Sequence, residues 1–332
     1  MEVSDEVALP PCHRSTFSFG FFGAASESAA AGSSASGAAP PAAPSSAAAA
    51  AITQVAVVDP RGAAWASLPA LSAAAAASGA LTALRSVADA SVATASPLAP
   101  MLADERTDII PGVYEGGLKE WEASHDLVRY VESAYVAAQL SVVRVLELGC
   151  GHGLPGIAAL RQGAAVAFTD LNVEVLTSAT LPNALLNAGR ERVANRAFFV
   201  SGDWADEELL RRLLSWRPRS SAASGLGGGG GGAGAGDTAT VAALDEGRFS
   251  LILSAETVYT AEALEALHAL IARTLAPGGV ALAAAKRYYF GLGGGTRALC
   301  EHAAKLGILS ARVVAVTEER NVVREIVELR LL

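Results

Sequence analysis

Glu147-Leu148-Gly149-Cys150-Gly151-His152-Gly153-Leu154-Pro155-Gly156 is the stretch whose reading decides the fold, and it is entered from Val142-Val143-Arg144-Val145-Leu146. The β-branched and aliphatic residues at 142–148 predict a buried strand. The glycines that follow let the backbone turn sharply and come close to a ligand. Pro155 predicts the first turn of a helix over 155–162. Strand, tight loop and helix in that order point the helix's free N–H groups and positive dipole end at whatever lies over the loop.

The same alternation continues outward. Strands are expected at 164–169, 197–201, 249–254 and 280–285, with helices at 173–188, 207–216, 261–275 and 296–306. Alternating strands and helices imply a parallel sheet covered on both faces. The last two strands, 308–316 and 324–331, have no helix between them and must pair as an antiparallel hairpin.

Polar or glycine residues recur at the strand ends. Asp170 closes the second strand, Gly202-Asp203-Trp204 follows the third, and Ser254-Ala255-Glu256-Thr257-Val258-Tyr259 follows the fourth. Ligands of open α/β sheets bind outside these carboxyl ends. Two ligands compete for the glycine loop. Gly151-x-Gly153-x-x-Gly156 formally fits a dinucleotide fingerprint. Gly149-x-Gly151-x-Gly153, with Glu147 two residues ahead, fits the loop that binds S-adenosylmethionine (SAM). The strand ends at Leu148, so Gly149 makes the turn, and the dinucleotide motif would start two residues late. Glu147 then reaches the amino group of the methionine moiety. Asp170 is placed to accept from two ribose hydroxyls, which suits either ligand. Asp203 can hold an adenine amino group while Trp204 stacks on the ring, or Trp204 is a core residue at the start of a helix. Glu256 is either a substrate-facing acid or a cap on the following helix.

Together these residues resemble the seven-β-strand SAM-dependent methyltransferases, in particular the protein-modifying subgroup with a D/E-x-x-Y motif, here Glu256-x-x-Tyr259. Asp108-Ile109-Ile110-Pro111-Gly112-Val113-Tyr114-Glu115-Gly116-Gly117-Leu118-Lys119-Glu120-Trp121-Glu122 and Lys286-Arg287-Tyr288-Tyr289-Phe290-Gly291-Leu292-Gly293-Gly294-Gly295 are similar to segments of the histidine protein methyltransferases. The resemblance implies a class I, Rossmann-like α/β fold with a seven-stranded, mostly parallel sheet and a C-terminal antiparallel hairpin. It implies that Glu120, Trp121, Glu122, Ala123 and Ser124 fold over the cofactor. Glu147, Gly149, Cys150, Gly151 and Gly153 would hold the methionine end, Asp170, Leu171 and Asn172 the ribose, Gly202, Asp203 and Trp204 the adenine, and Ser254 the pocket floor. Glu256 and Tyr259 would face the substrate, expected to be a histidine of a large-subunit ribosomal protein. Other readings are a lysine methyltransferase of the same subgroup, an NAD-dependent oxidoreductase and a non-catalytic assembly factor of this fold.

Composition divides the chain. Residues 24–100 are mostly Ala, Ser, Pro and Gly, with little large apolar area to offset the entropy of ordering. Residues 1–104 are therefore expected to be low-complexity and largely disordered, with one apolar motif at 17–22, and 105–332 to be the methyltransferase domain. The Gly-rich run at 220–240 reads as a flexible insertion. A formal net charge of −8 without basic runs argues against direct nucleic-acid binding. Cys12, Cys150 and Cys300 are too scattered for a zinc site or a disulfide framework. The Ala-rich runs are too weakly apolar for a membrane span, and the acidic start does not resemble a signal peptide. The expectation is a monomer in the cytoplasm, the nucleus or both, with no metal. His125, His152, His268 and His302 are expected to be surface or packing residues.

Overall fold

The computed structural model describes residues 55–61, 109–110, 112–219 and 247–332. The motif at 17–22, Cys12, Asp108 and the insertion at 220–240 lie outside the described residues.

Eight strands form one sheet in the order β1-β4-β3-β2-β5-β6-β8-β7. Its centre is β2 (Arg144–Leu148), flanked by β3 (Ala165–Asp170) and β4 (Ala197–Ser201) on one side, and by β5 (Phe249–Ala255) and β6 (Leu275–Lys286) on the other. These five strands run parallel. β7 (Leu309–Glu319) and β8 (Val322–Leu331) close one edge as an antiparallel hairpin paired to β6. The two-residue turn Arg320-Asn321 has positive φ at both positions, the backbone that a tight hairpin with right-handed strand twist requires.

The expected class I arrangement is thus present, with one strand more than expected. β1 (Ala56–Val58) lies within the segment read as disordered and pairs antiparallel with β4. Helices missed from sequence are α1 (Glu122–Ala134), the short α2 (Ala137–Leu140) and α6 (Arg190–Arg196).

Two apolar layers hold the sheet. Alternation along β2 sends Val145 to one face and Leu146 to the other. The Val145 face packs on α1, α3 (Leu154–Arg161) and α5 (Leu181–Ala188) through Leu127, Ile157 and Leu185, with Phe168 and Phe199 stacked 5.1 Å apart. The opposite face packs on α7 (Glu207–Ser215), α8 (Ala261–Thr274) and α9 (Thr296–Leu306) through Leu213, Leu267 and Leu299. α5 is entered from α4 (Val173–Val175) through a π-helical turn, Leu176–Thr180.

The chain leaves β2 toward β3 and β4, then returns to the other side of β2 as β5 and β6. The connections after β2 and β5 therefore diverge, and a crevice opens between them.

Candidate active site

A cavity of about 830 Å³ fills that crevice. Of the residues expected from sequence, Glu120, Trp121, Ser124, Glu147, Gly149, Cys150, Gly151, Asp170, Leu171, Gly202, Asp203, Trp204, Glu256 and Tyr259 line it.

The glycine loop forms the floor. Gly149 and Gly151 have φ of +60° and +50°. A Cβ on Gly149 would lie 2.7 Å from Thr257 Cγ2, and one on Gly151 would lie 3.1 Å from the Gly117 carbonyl oxygen. Backbone conformation and close packing thus both require glycine here. Glu147, on the α3 face of β2, accepts from the Gly156 N–H at 2.8 Å. Burial pushes its carboxyl well above the usual range, against that bond. Asp170 accepts from the Gly151 N–H at 2.9 Å and the Asn172 N–H at 3.3 Å. Burial still raises its carboxyl to about 6, with three backbone N–H groups opposing the shift and the Glu115 charge adding to it. The Cys150 thiol is likewise pushed up by burial, and its Sγ lies 3.5 Å from Thr180 Oγ1.

Five expected residues are not in the wall. Gly153 begins α3 at φ +73°, and a Cβ there would strike Thr180, Ile157 and Phe168 in the core. Asn172 is buried and donates its amide to the Val113 carbonyl at 2.8 Å, so it fixes the segment before α1. Ser254 lies one layer behind, 2.6 Å from Thr257 Oγ1 and donating to the Leu148 carbonyl. Thr257 takes the wall position assigned to Ser254. The Ala123 side chain is buried against the core and Glu122 is exposed, but the Ala123 N–H and the Glu122 charge still act on the Glu256 carboxyl from the first turn of α1, while Trp121 and Ser124 line the cavity. Trp121 donates its indole N–H to the Gly116 carbonyl at 3.0 Å, which folds 116–121 over the crevice.

His152 is a buried packing residue that also borders the cavity. It is 4 % exposed, with Nε2 at 3.0 Å from the Leu118 carbonyl and Nδ1 at 3.6 Å from Glu120. If Nε2 donates to that carbonyl, the ring ties the glycine loop to the covering segment.

Beside the glycine loop, at the end of the neighbouring β5, stands Glu256. Its φ is +57°, a costly backbone for a non-glycine residue. Thr260, not Glu256, caps α8, with its side chain accepting from the Ala263 N–H at 3.1 Å. The cap reading of Glu256 is therefore set aside. Glu256 is 7 % exposed; Oε2 accepts from the Tyr289 hydroxyl, while Oε1 makes no hydrogen bond. Burial raises its carboxyl, with the Glu122 charge adding to it, and the Tyr289 bond, the Lys286 charge and the Ala123 N–H pull it back. Tyr259 donates to Glu115, and its ring meets that of Tyr289 edge-on at 6.3 Å. Sequence reasoning missed Glu115, Thr257 and Tyr289. Tyr289 carried a signal in the aromatic run Tyr288-Tyr289-Phe290, but nothing in one sequence says which of the three turns inward.

The lining fits the expected cofactor. Among its charged residues Lys119 is the one Lys or Arg, set against carboxylates that suit a sulfonium and an ammonium group. A loop without room for a Cβ at Gly149 or Gly151, a buried carboxylate at the end of β3 and Trp204 after β4, partly packed on the core, are compatible with methionine, ribose and adenine in turn.

A family model described as "Lysine methyltransferase" matches residues 112–210. A histidine protein methyltransferase 1 homolog from Dictyostelium discoideum is 37 % identical over 226 residues, 68 % of this chain and 61 % of that protein. The homolog from Rattus norvegicus is 34 % identical over 64 % of this chain and 56 % of its own length. Histidine protein methyltransferase 1 of Schizosaccharomyces pombe is 30 % identical over 58 % and 57 %. The chain thus spans about three fifths of the length of the curated relatives it matches. Among solved structures, a Synechocystis magnesium protoporphyrin IX methyltransferase with bound SAH aligns at TM-score 0.39 and 15 % identity, over 62 % of this chain and 80 % of that one. By sequence, over the stretch that aligns, this chain is a relative of the histidine protein methyltransferases.

Proposed function

We propose that the chain is a SAM-dependent protein histidine N-methyltransferase. The reading is carried by Glu256 Oε1, a buried carboxylate oxygen in the cavity wall without a hydrogen bond, on the loop next to the glycine loop.

Bound SAM supplies a methyl carbon on a sulfonium, open to in-line attack. The attacking imidazole must be neutral, with one ring nitrogen bare and the other carrying its proton. Glu256 Oε1 accepts a hydrogen bond from that N–H, which selects the tautomer and aims the bare nitrogen. With SAM bound, its sulfur would take the C–S electron pair and positive charge would pass to the ring, whose N–H proton would then leave by way of Glu256 Oε1. The Glu256 carboxylate lies beside that charge, in a site where burial strengthens the attraction. Trp121 and the 116–121 segment cover the crevice and exclude water. Tyr259, tied to Glu115, forms the side wall against which the ring sits.

The relatives' names support histidine as the target, over an alignment of up to 226 residues. The lysine-methyltransferase model supports the second reading, but its match ends at residue 210, before Glu256, Tyr259 and Tyr289. A large-subunit ribosomal protein is the substrate that the resemblance implies, met as a monomer in the cytoplasm or nucleus.

The test is transfer from methyl-labelled SAM into large-subunit ribosomal protein, followed by amino-acid analysis. We expect label in methylhistidine, abolished by Asp170→Ala and reduced about a hundredfold or more by Glu256→Gln. Label in methyllysine selects the second reading. Full activity in Glu256→Gln with an unchanged pH profile would remove Glu256 from the mechanism.

A further inference from the structure

The loop after β6 has an outer side that the proposed chemistry does not use. Tyr289 turns inward to Glu256, while its neighbours Tyr288 and Phe290 turn out, 45 % and 94 % exposed. Leu292 is half exposed and lines the cavity mouth. Single exposed apolar residues are ordinary. Three exposed apolar residues within five, one of them lining a deep cavity, are of the kind that marks a binding surface.

The patch is built, not slack. The Tyr288 and Phe290 rings lie 6.3 Å apart at 30°. Arg297 donates to the Tyr288 hydroxyl at 2.9 Å, which fixes the ring from below. The base of the loop is clamped to the Glu256–Tyr259 segment: the Gly295 N–H donates to the Val258 carbonyl at 2.7 Å, and Thr260 bridges Gly293. The cavity that Leu292 enters is bordered by Glu115, Glu120 and Glu262.

We propose that Tyr288, Phe290 and Leu292 are the edge on which the protein substrate docks. They seat an apolar side chain of a net-basic segment whose nearby histidine then reaches Glu256. The inference rests on the protein-methyltransferase reading above. Continuity argues for this occupant, because Leu292 belongs to both the patch and the cavity. Charge argues for it as well, because the acidic mouth favours a basic chain. The same loop carries Tyr289, so contact on its outer side bears on the group that orients Glu256.

The experiment compares Phe290→Ala with the wild type on large-subunit ribosomal protein, with SAM affinity measured by calorimetry. Phe290 is almost fully exposed, so its loss leaves the thermal midpoint unchanged. We expect KM for protein to rise about tenfold, SAM affinity to stay the same, and added salt to weaken the remaining binding. An unchanged KM overturns the docking edge while leaving the methyltransferase reading intact. Light scattering that shows a wild-type dimer lost in Phe290→Ala also overturns it, by assigning the patch to a second copy. No transfer by the wild type to the ribosomal protein overturns both.

Discussion

A buried carboxylate at a left-handed backbone position, with one oxygen held and the other bare, costs the fold on two counts: strain and desolvation. At Glu256 the bond from Tyr289 compensates part of that cost. Tyr289 acts through Glu256 and is a positioning residue. Tyr289→Phe removes the donor to Oε2, one of the influences that hold the Glu256 carboxyl down. Burial is then less opposed and the carboxyl titrates at higher pH. Because the ionised form accepts the substrate N–H, activity is lost as pH falls through this group. The acid limb of kcat should therefore move to higher pH, with kcat down about tenfold at neutrality. A purely structural tyrosine would lower activity evenly across pH, and a fixed limb would refute the positioning role. Asp170 gives a separate test. Its carboxyl titrates at about 6 in the ligand-free protein, pushed up mainly by burial. Ribose hydroxyls donate best to the ionised form, so SAM affinity should be full above that pH. Below it, affinity should fall by up to about tenfold per pH unit. Calorimetry from pH 5 to pH 8 reads this directly, and flat affinity across that range would separate Asp170 from cofactor binding.

At the scale of elements, what sequence revealed follows how much of each element's identity is local. The β2 strand and its glycine loop were readable because turn chemistry and apolar runs are written in neighbouring residues. The 296–306 helix was readable from its stripe and its Gly307 stop. α6 was missed because it buries only Val193 along Arg190–Arg196, and its place comes from packing rather than pattern. Pro277-Gly278-Gly279 was read as a break before a strand. They do interrupt the pairing: Phe249 pairs with Leu275 and Leu251 with Val280, so 276–279 have no partner on β5 and Gly278 turns at φ +73°. The continuous ladder starts at Val280, where the break predicts it, although β6 is extended back to Leu275. α1 did carry a stripe, Ala123, Leu127 and Val131, but the reading stopped at its cofactor-facing start. Its role depends on a pair that no local pattern displays: Arg324 on β8 donates to Asp126 at 2.5 Å, with both side chains at least nine-tenths buried. Removing one member leaves the other's buried charge to a second, more exposed partner, Glu319 for Arg324 and Arg129 for Asp126. Asp126→Leu should cost about 3 kcal/mol in urea unfolding, and Arg324→Met added to it should recover most of the loss. Additive losses in the double variant would show that the pair does not hold α1 to the hairpin.

At the scale of the molecule, composition misplaced one boundary. Residues 1–104 look too poor in large apolar side chains to fold, yet Val55 to Val58 complete the sheet. Three residues pair with β4, Val58 is buried, and Val55 packs against Gly202, where a Cβ would lie 2.8 Å from Val55 Cγ2. A strand this short has no stability of its own and forms only because β4 offers an unpaired edge. No single-sequence periodicity can show that. Gly202 leads into Asp203 and Trp204, the wall assigned to adenine, so the added strand supports the site from behind. A chain begun at residue 105 therefore exposes the β4 edge and loosens that wall. Relative to a chain begun at residue 50, it should melt about 3–8 °C lower, equivalent to roughly 2 kcal/mol, and bind SAM several-fold more weakly. Adenosine alone should show the same relative loss in affinity, because the weakened wall is the one that holds the base. Equal melting and equal adenosine affinity in the two chains would mean that β1 merely rests on the sheet. A loss for SAM without a loss for adenosine would move the effect of β1 to the methionine end.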